Sequence, residues 1–164
     1  MGLAQQLKRL ARMVPGVAGY QDMEALRDTD RMVRIRLAAD LRECERDIEG
    51  VKRRLMEKKD LALLPGLDYL TAKMEKLSNV LRYAGQGYRG LFDPYPVDQE
   101  KLEQLYAFDL RLFDEVHAIQ EKVGALEEKS ADPSAIKETI HHLDEDLDQL
   151  ERVFSTRCNV ITIH

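Results

Sequence analysis

Two aspartates stand where the sequence otherwise places aliphatic side chains. Asp30 and Asp109 each interrupt a run of apolar residues spaced three and four apart. A carboxylate drawn into such a seam is costly unless a cation meets it. Arg27, Arg31 and Arg34 lie a turn or less from Asp30, so the spacing predicts a buried Arg–Asp network that fixes the register of two helices. The competing reading is a bundle open to water at that layer. Asp114-x-x-His117 and Glu138-x-x-His141 imitate the carboxylate–histidine pairs of di-iron bundles, which must point into the core. Here Val116, Ile119, Ile140 and Leu143 take the inward positions, which turns both pairs outward; no metal and no cofactor is expected.

Gly85-Gln86-Gly87-Tyr88-Arg89-Gly90 matches the letters of a dinucleotide-binding loop. That loop works between a strand and a helix N-terminus; a helix precedes this one, so the glycines read as a helix cap and a loop. Ser78, Ser130, Ser134 and Ser155 lack the neighbours of a nucleophile, and Cys44 lies in a seam, where a thiol acts as a small hydrophobe. An enzyme is not expected.

The elements that would position these residues follow from the apolar period. Over residues 3–14, Leu3, Leu7, Leu10 and Val14 share one helical face, before Pro15-Gly16 and Gly19 break it. A long helix over 22–59 carries Leu26, Val33, Leu37, Leu41, Cys44, Ile48, Val51 and Leu55 beside Asp30. Leu64-Pro65-Gly66 reads as its turn, and a helix over 66–84 carries Leu67, Leu70, Met74, Leu77, Leu81 and Ala84. The next, 98–129, starts at an Asp98 cap and carries Leu102, Leu105, Leu112, Val116, Ile119, Val123 and Leu126. A last helix over 133–157 follows the Asp132-Pro133 start signal and carries Ile136, Ile140, Leu143, Leu147, Leu150 and Phe154. The tail 158–164 looks strand-like and too short for a sheet. The expected fold is all-α, an antiparallel, coiled-coil-like four-helix bundle over 22–157 with a short amphipathic helix over 1–14 before it.

Composition agrees. The 164 residues are 34% charged and 6% aromatic without tryptophan, a mix suited to long solvated helices. The net charge of -5 argues against nucleic acid as a partner. Two cysteines make no disulfide framework, and no apolar run reaches membrane-spanning length or forms a signal-peptide core; a cytoplasmic setting is expected. Lysine and arginine exceed acids by 4 over residues 1–59, while acids exceed them by 9 over 60–164. The acidic last helix could lie beside the basic first long one or face a partner. Seven of the ten aromatics fall between Tyr83 and Phe113; they read as a loop capping the bundle or, with Tyr88, Phe92 and Tyr95 exposed, as a platform for a partner.

The N-terminal helix bears most on function. Leu3, Leu7 and Leu10 with Lys8, Arg9 and Arg12 make a short amphipathic helix of the kind that lies on an anionic membrane surface, here the inner face. Docking on the bundle itself is the alternative. The reading is a non-enzymatic scaffold or adaptor acting through a protein partner, self-association or that surface; the rival is a metal- or small-ligand-binding bundle.

Val14-Pro15-Gly16-Val17-Ala18-Gly19-Tyr20, Arg27-Asp28-Thr29-Asp30-Arg31-Met32-Val33-Arg34, Tyr83-Ala84-Gly85-Gln86-Gly87-Tyr88-Arg89-Gly90-Leu91-Phe92-Asp93 and Leu105-Tyr106-Ala107-Phe108-Asp109 resemble blocks shared, in this order, by a group of uncharacterised prokaryotic all-helical proteins. The resemblance spans about residues 7–120 and implies the fold without an activity. The opening Met1-Gly2-Leu3 on an amphipathic helix is also similar to phage-shock-protein A and ESCRT-III-like membrane remodellers, which implies membrane contact. The glycine-rich segment at 85–96 has no counterpart in their helical hairpin.

Overall fold

The computed structural model describes residues 2–17, 19, 23–84, 99–129 and 131–162, with the side chains of residues 23, 24, 26 and 160–162 excepted. Among the described residues it is all-α: α1 (Leu3–Met13), α2 (Met23–Glu57), α3 (Leu64–Tyr83), α4 (Gln99–Glu128) and α5 (Pro133–Thr162). The seams form the core. From Val33 to Leu55 on α2, Leu67 to Leu81 on α3 and Leu105 to Leu126 on α4, every described seam position read from the spacing is buried; Ile136, Leu143, Leu147, Leu150 and Phe154 join from α5. Leu102, Ala84 and Ile140 pack on its edge.

The packing pairs are α2 with α3 and α4, and α5 with α3 and α4. The ring therefore runs α2, α3, α5, α4, with α3 and α4 on a diagonal. Within the ring, helices successive in the chain are antiparallel. Lys52 of α2 meets Asp68 near the turn at 2.5 Å, and Arg34 reaches the Leu81 carbonyl at the far end, 3.1 Å. The two hairpins then lie with like senses side by side: α2 meets α4 at its start through the charged layer described below and at its end through Arg54–Glu127, 2.9 Å.

Three boundaries depart from the spacing. Pro65 lies inside the first turn of α3, where a missing N–H costs nothing; the turn is instead at 58–63, with Lys59 at φ 58. Gly66 of α3 faces Ile140 of α5, and an added Cβ would meet it at an ordinary contact distance of 3.4 Å. Over 158–162 the tail is not strand-like: α5 continues to Thr162, with the buried Arg157 carrying the seam one step past Phe154, so helical context outweighs the local β-propensity of Val160, Ile161 and Thr162. The Asp132 cap is as read, its Oδ1 accepting from the Ser134 and Ala135 amides at 3.0 and 3.3 Å. Asp98 and the segment 85–97 lie outside the described residues, and with them the glycine-rich pattern and Tyr88, Phe92 and Tyr95.

Candidate functional site

Asp30 and Asp109 do meet at one buried layer, and the cation between them comes from α5. Arg157, with no exposed surface, donates through Nε to Asp109 Oδ1 at 2.6 Å and through an NH group to Asp30 Oδ1 at 2.7 Å. Arg34 donates from Nε to the other oxygen of Asp30 at 2.8 Å. Its terminal nitrogen also donates to the carbonyls of Leu81 and Arg82, both at 3.1 Å. Those carbonyls are orphaned at the C-terminal end of α3 and suit a cation. Two acids and two arginines thus join all four long helices, with charges that cancel inside the layer.

Of the three arginines read beside Asp30, only Arg34 belongs. Arg27 and Arg31 are exposed. Helical side chains lean toward the N-terminus, so Arg34 leans back onto Asp30 one turn earlier, Arg27 leans away from it, and Arg31 is a quarter-turn round the helix. Arg157 lies within the helix read over 133–157, but the seam read from the spacing stops at Phe154. The signal existed: Ile136, Ile140, Leu143, Leu147, Leu150 and Phe154 advance by four and three, and the next step of three is Arg157.

The same end holds other polar residues in place. Thr29, buried, donates to the Gly19 carbonyl at 2.9 Å. Gly19 has φ +91, and a Cβ there would come within 2.7 Å of the Tyr106 hydroxyl and 3.1 Å of Leu7, so glycine is required twice over. Residues 19, 29–34 and 106–109, from three of the four sequence blocks, therefore gather around the charged layer, with Leu81 and Arg82 just ahead of the block that opens at Tyr83.

The N-terminal helix docks on its own bundle, along α4. Leu10 is fully buried and Val14 nearly so, while Leu3, Leu7 and Met13 pack against the core. Arg9 pairs with Asp114 of α4 at 2.8 Å, both well exposed; Lys8 and Arg12 face solvent. The apolar side that an interfacial anchor would offer to lipid is thus against α4.

The acids of α5 are partnered by lysines from its two neighbours rather than by α2. Lys73 of α3 bridges Asp144 and Asp148, and Lys122 of α4 holds Asp146. His117 and His141 stand outward, each beside a glutamate one turn on. No group of metal-ligating side chains occurs among the described residues. Cys44 lies in the core, where burial, reinforced by Asp47 and Asp40, pushes its thiol up to about 12; it is no nucleophile near neutral pH. No described helix is long and apolar enough to cross a membrane.

Fold and layer together define an all-α helical bundle stapled by an internal four-charge cluster. Compared with known families, curated proteins and solved structures, the chain matches none.

Proposed function

We propose that this chain is a cytoplasmic, non-enzymatic helical scaffold or adaptor that holds a protein partner on the outer face of the α2–α3 hairpin. One observation carries the reading. The large apolar residues that stand exposed among those described are Ile35, Met56, Leu61, Tyr69, Val80 and Tyr83, all on α2, α3 or the turn between them. The Arg34 bonds to Leu81 and Arg82 set Ile35 level with Val80 and Tyr83, so these three share one end of the face. The Arg82 guanidinium lies 5.8 Å from the centre of the Tyr83 ring, a pairing of the two residue types that most often anchor interfaces. Arg31, Arg46 and Lys76 are exposed on the same two helices beside Glu43, Asp47 and Glu75, so the apolar residues are flanked by charges of both signs, as at the polar rim of an interface. The filled seams and the cancelled charges of the buried layer supply a rigid support.

The test is a pull-down from the native host with the intact chain and with Val80→Ser/Tyr83→Ser. Both residues are exposed, so melting should be unchanged while the captured partner disappears. Equal capture by both forms refutes the face; a change of oligomeric state in light scattering would make the partner a second copy. The peripheral-membrane reading requires α1 to leave α4, and it predicts sedimentation with anionic vesicles that Leu10→Asp abolishes. A Leu10→Asp chain that melts several degrees lower, with neither form sedimenting, assigns α1 to the bundle alone.

A further inference from the structure

α1 lies along α4 and stops at Met13, while α2 and α4 run on side by side. The groove between them is therefore roofed by α1 at first and uncovered beyond it. At that step is a cleft of about 220 Å³, room for roughly seven waters at ~30 Å³ each or a small organic molecule. Its apolar wall is Phe113 and Val116 of α4 with Met13 of α1. Its polar rim brings together three helices: Arg12 from α1, Arg36 from α2 and His117 from α4.

The charges of this rim do not cancel. Asp40, the acid of the cleft, is already engaged by Arg36, whose Nε lies 3.2 Å from one carboxylate oxygen and 3.1 Å from the other. Burial still pushes the Asp40 carboxyl above its ordinary value, against the opposing effect of Arg36. The terminal nitrogens of Arg36 make no hydrogen bond among the described residues, and Arg12 has no ion pair there. Among the lining residues one positive charge is left over beside an apolar wall, with the Gln120 amide nearby as a further donor, while Glu43 and Glu121 stand just outside, beside Asp40 and His117. A cation is disfavoured by like charge at Arg12 and Arg36, and a wholly apolar guest would leave the Arg12 side of the cleft unmatched.

We propose that this cleft binds a small monoanionic carboxylate with an apolar body, its head held by Arg12 and Arg36 and its body against Phe113 and Val116. A guanidinium fork matches a carboxylate in shape as well as charge. Because α1 supplies one wall, a bound guest also pins α1 to the bundle, so occupancy raises the melting temperature.

The probe is phenylacetate, compared with its neutral and cationic counterparts 2-phenylethanol and 2-phenylethylamine, titrated into the full chain and followed by amide NMR and thermal melting. Saturable shifts around Met13, Arg36 and Val116 are expected for the carboxylate at a Kd on the order of 1 mM, with weaker shifts for the alcohol and none for the amine. Arg12→Ala should weaken the carboxylate about tenfold without altering the melting temperature of the free protein, since Arg12 is exposed. Shifts that never saturate, equal binding of the amine, or full affinity in Arg12→Ala would each overturn the site.

Discussion

Where α2 turns into α3, the interior is built from the aliphatic Ile48, Val51, Leu55, Leu67, Leu70, Val123, Leu126, Ile136 and Leu143, and its buried hydroxyls, Thr71 and Thr139, donate to carbonyls of their own helices. Charges there stay on the rim, as in Lys52–Asp68 and Arg54–Glu127. At the opposite end the same helices enclose Asp30, Arg34, Asp109 and Arg157. The aliphatic end gains about 1.5–3 kcal/mol for each large side chain fully buried, and its packing tolerates small shifts of one helix along another. The charged end gains little net energy over an apolar substitute, but its bonds form at one register and one ring order only. The aliphatic end supplies stability; the charged end supplies specificity, and it is also where α1 and the α1–α2 link attach.

Breaking the charged end should have the largest effect. Arg157→Met leaves two buried carboxylates facing each other without their shared cation, a loss of about 3–5 kcal/mol. For a domain of this size that is roughly 10–15 °C in melting temperature. The sharper measurement is the fourfold variant Asp30→Leu/Arg34→Met/Asp109→Leu/Arg157→Met, which should recover most of that loss while its amide NMR spectrum broadens or doubles. A fourfold variant as unstable as the single one would mean that the layer contributes stability in its own right.

At the aliphatic end Leu143→Ala opens a cavity, and a loss of about 2–4 kcal/mol is expected in urea melts. Unlike the charged layer, this site should show no rescue by further substitution of a neighbour's charge. A loss below ~1 kcal/mol would mean the helices collapse onto the gap, and the end would be softer than its packing suggests.

The same contrast decides what was readable in the sequence. Aliphatic seams repeat, so the helices, their order and nearly all of the core follow from spacing. Asp30 and Asp109 were legible because they break that repeat. Arg157 was not: with the strand-favouring Val160, Ile161 and Thr162 after it, it reads as the frayed end of the helix over 133–157, one step past a seam that stops at Phe154. The ring order was hidden too, since it depends on which helix ends carry mutually satisfying charges, and periodicity says nothing about that. The exposure of Ile35, Val80 and Tyr83 likewise depends on where each helix turns its outer side, which only the assembled bundle fixes.

Between the two ends sits Cys44, and it gives an alkaline signature. Its thiol is held neutral by burial, with a value near 12 against an ordinary 9.0. Above 9.0 the unfolded chain loses this proton and the folded one keeps it, so stability falls as pH rises from there toward about 12. The slope is about 1.4 kcal/mol per pH unit, so one unit above 9.0 the effect is smaller than either core substitution. Cys44→Val keeps the volume and should flatten that part of the pH profile in urea melts; an unchanged slope would assign it to other groups.

The smallest effect belongs to the lysine stitch between α3 and α5. Burial works against the charge on Lys73, but hydrogen bonds from Lys73 to Asp144 and Asp148 outweigh it and raise the ammonium above its ordinary value. The Lys73 hydrogen bond lowers Asp148. The signs bracket the neutral range. The Asp148 contribution is present above the ordinary carboxylate value and is lost as pH falls through the lowered one. The Lys73 contribution is present below 10.5 and is lost as pH rises through the raised value. With the Asp148 side chain 47% exposed, solvent and salt screen most of this attraction, so Lys73→Met should cost only about 0–1 kcal/mol at neutral pH. That cost should shrink in high salt and in acid, measured as the difference between the melting curves of the two proteins. A salt-independent loss several times larger would mean that the rim lysines anchor α5 as firmly as Arg157 does, and the division of labour between the two ends would fail.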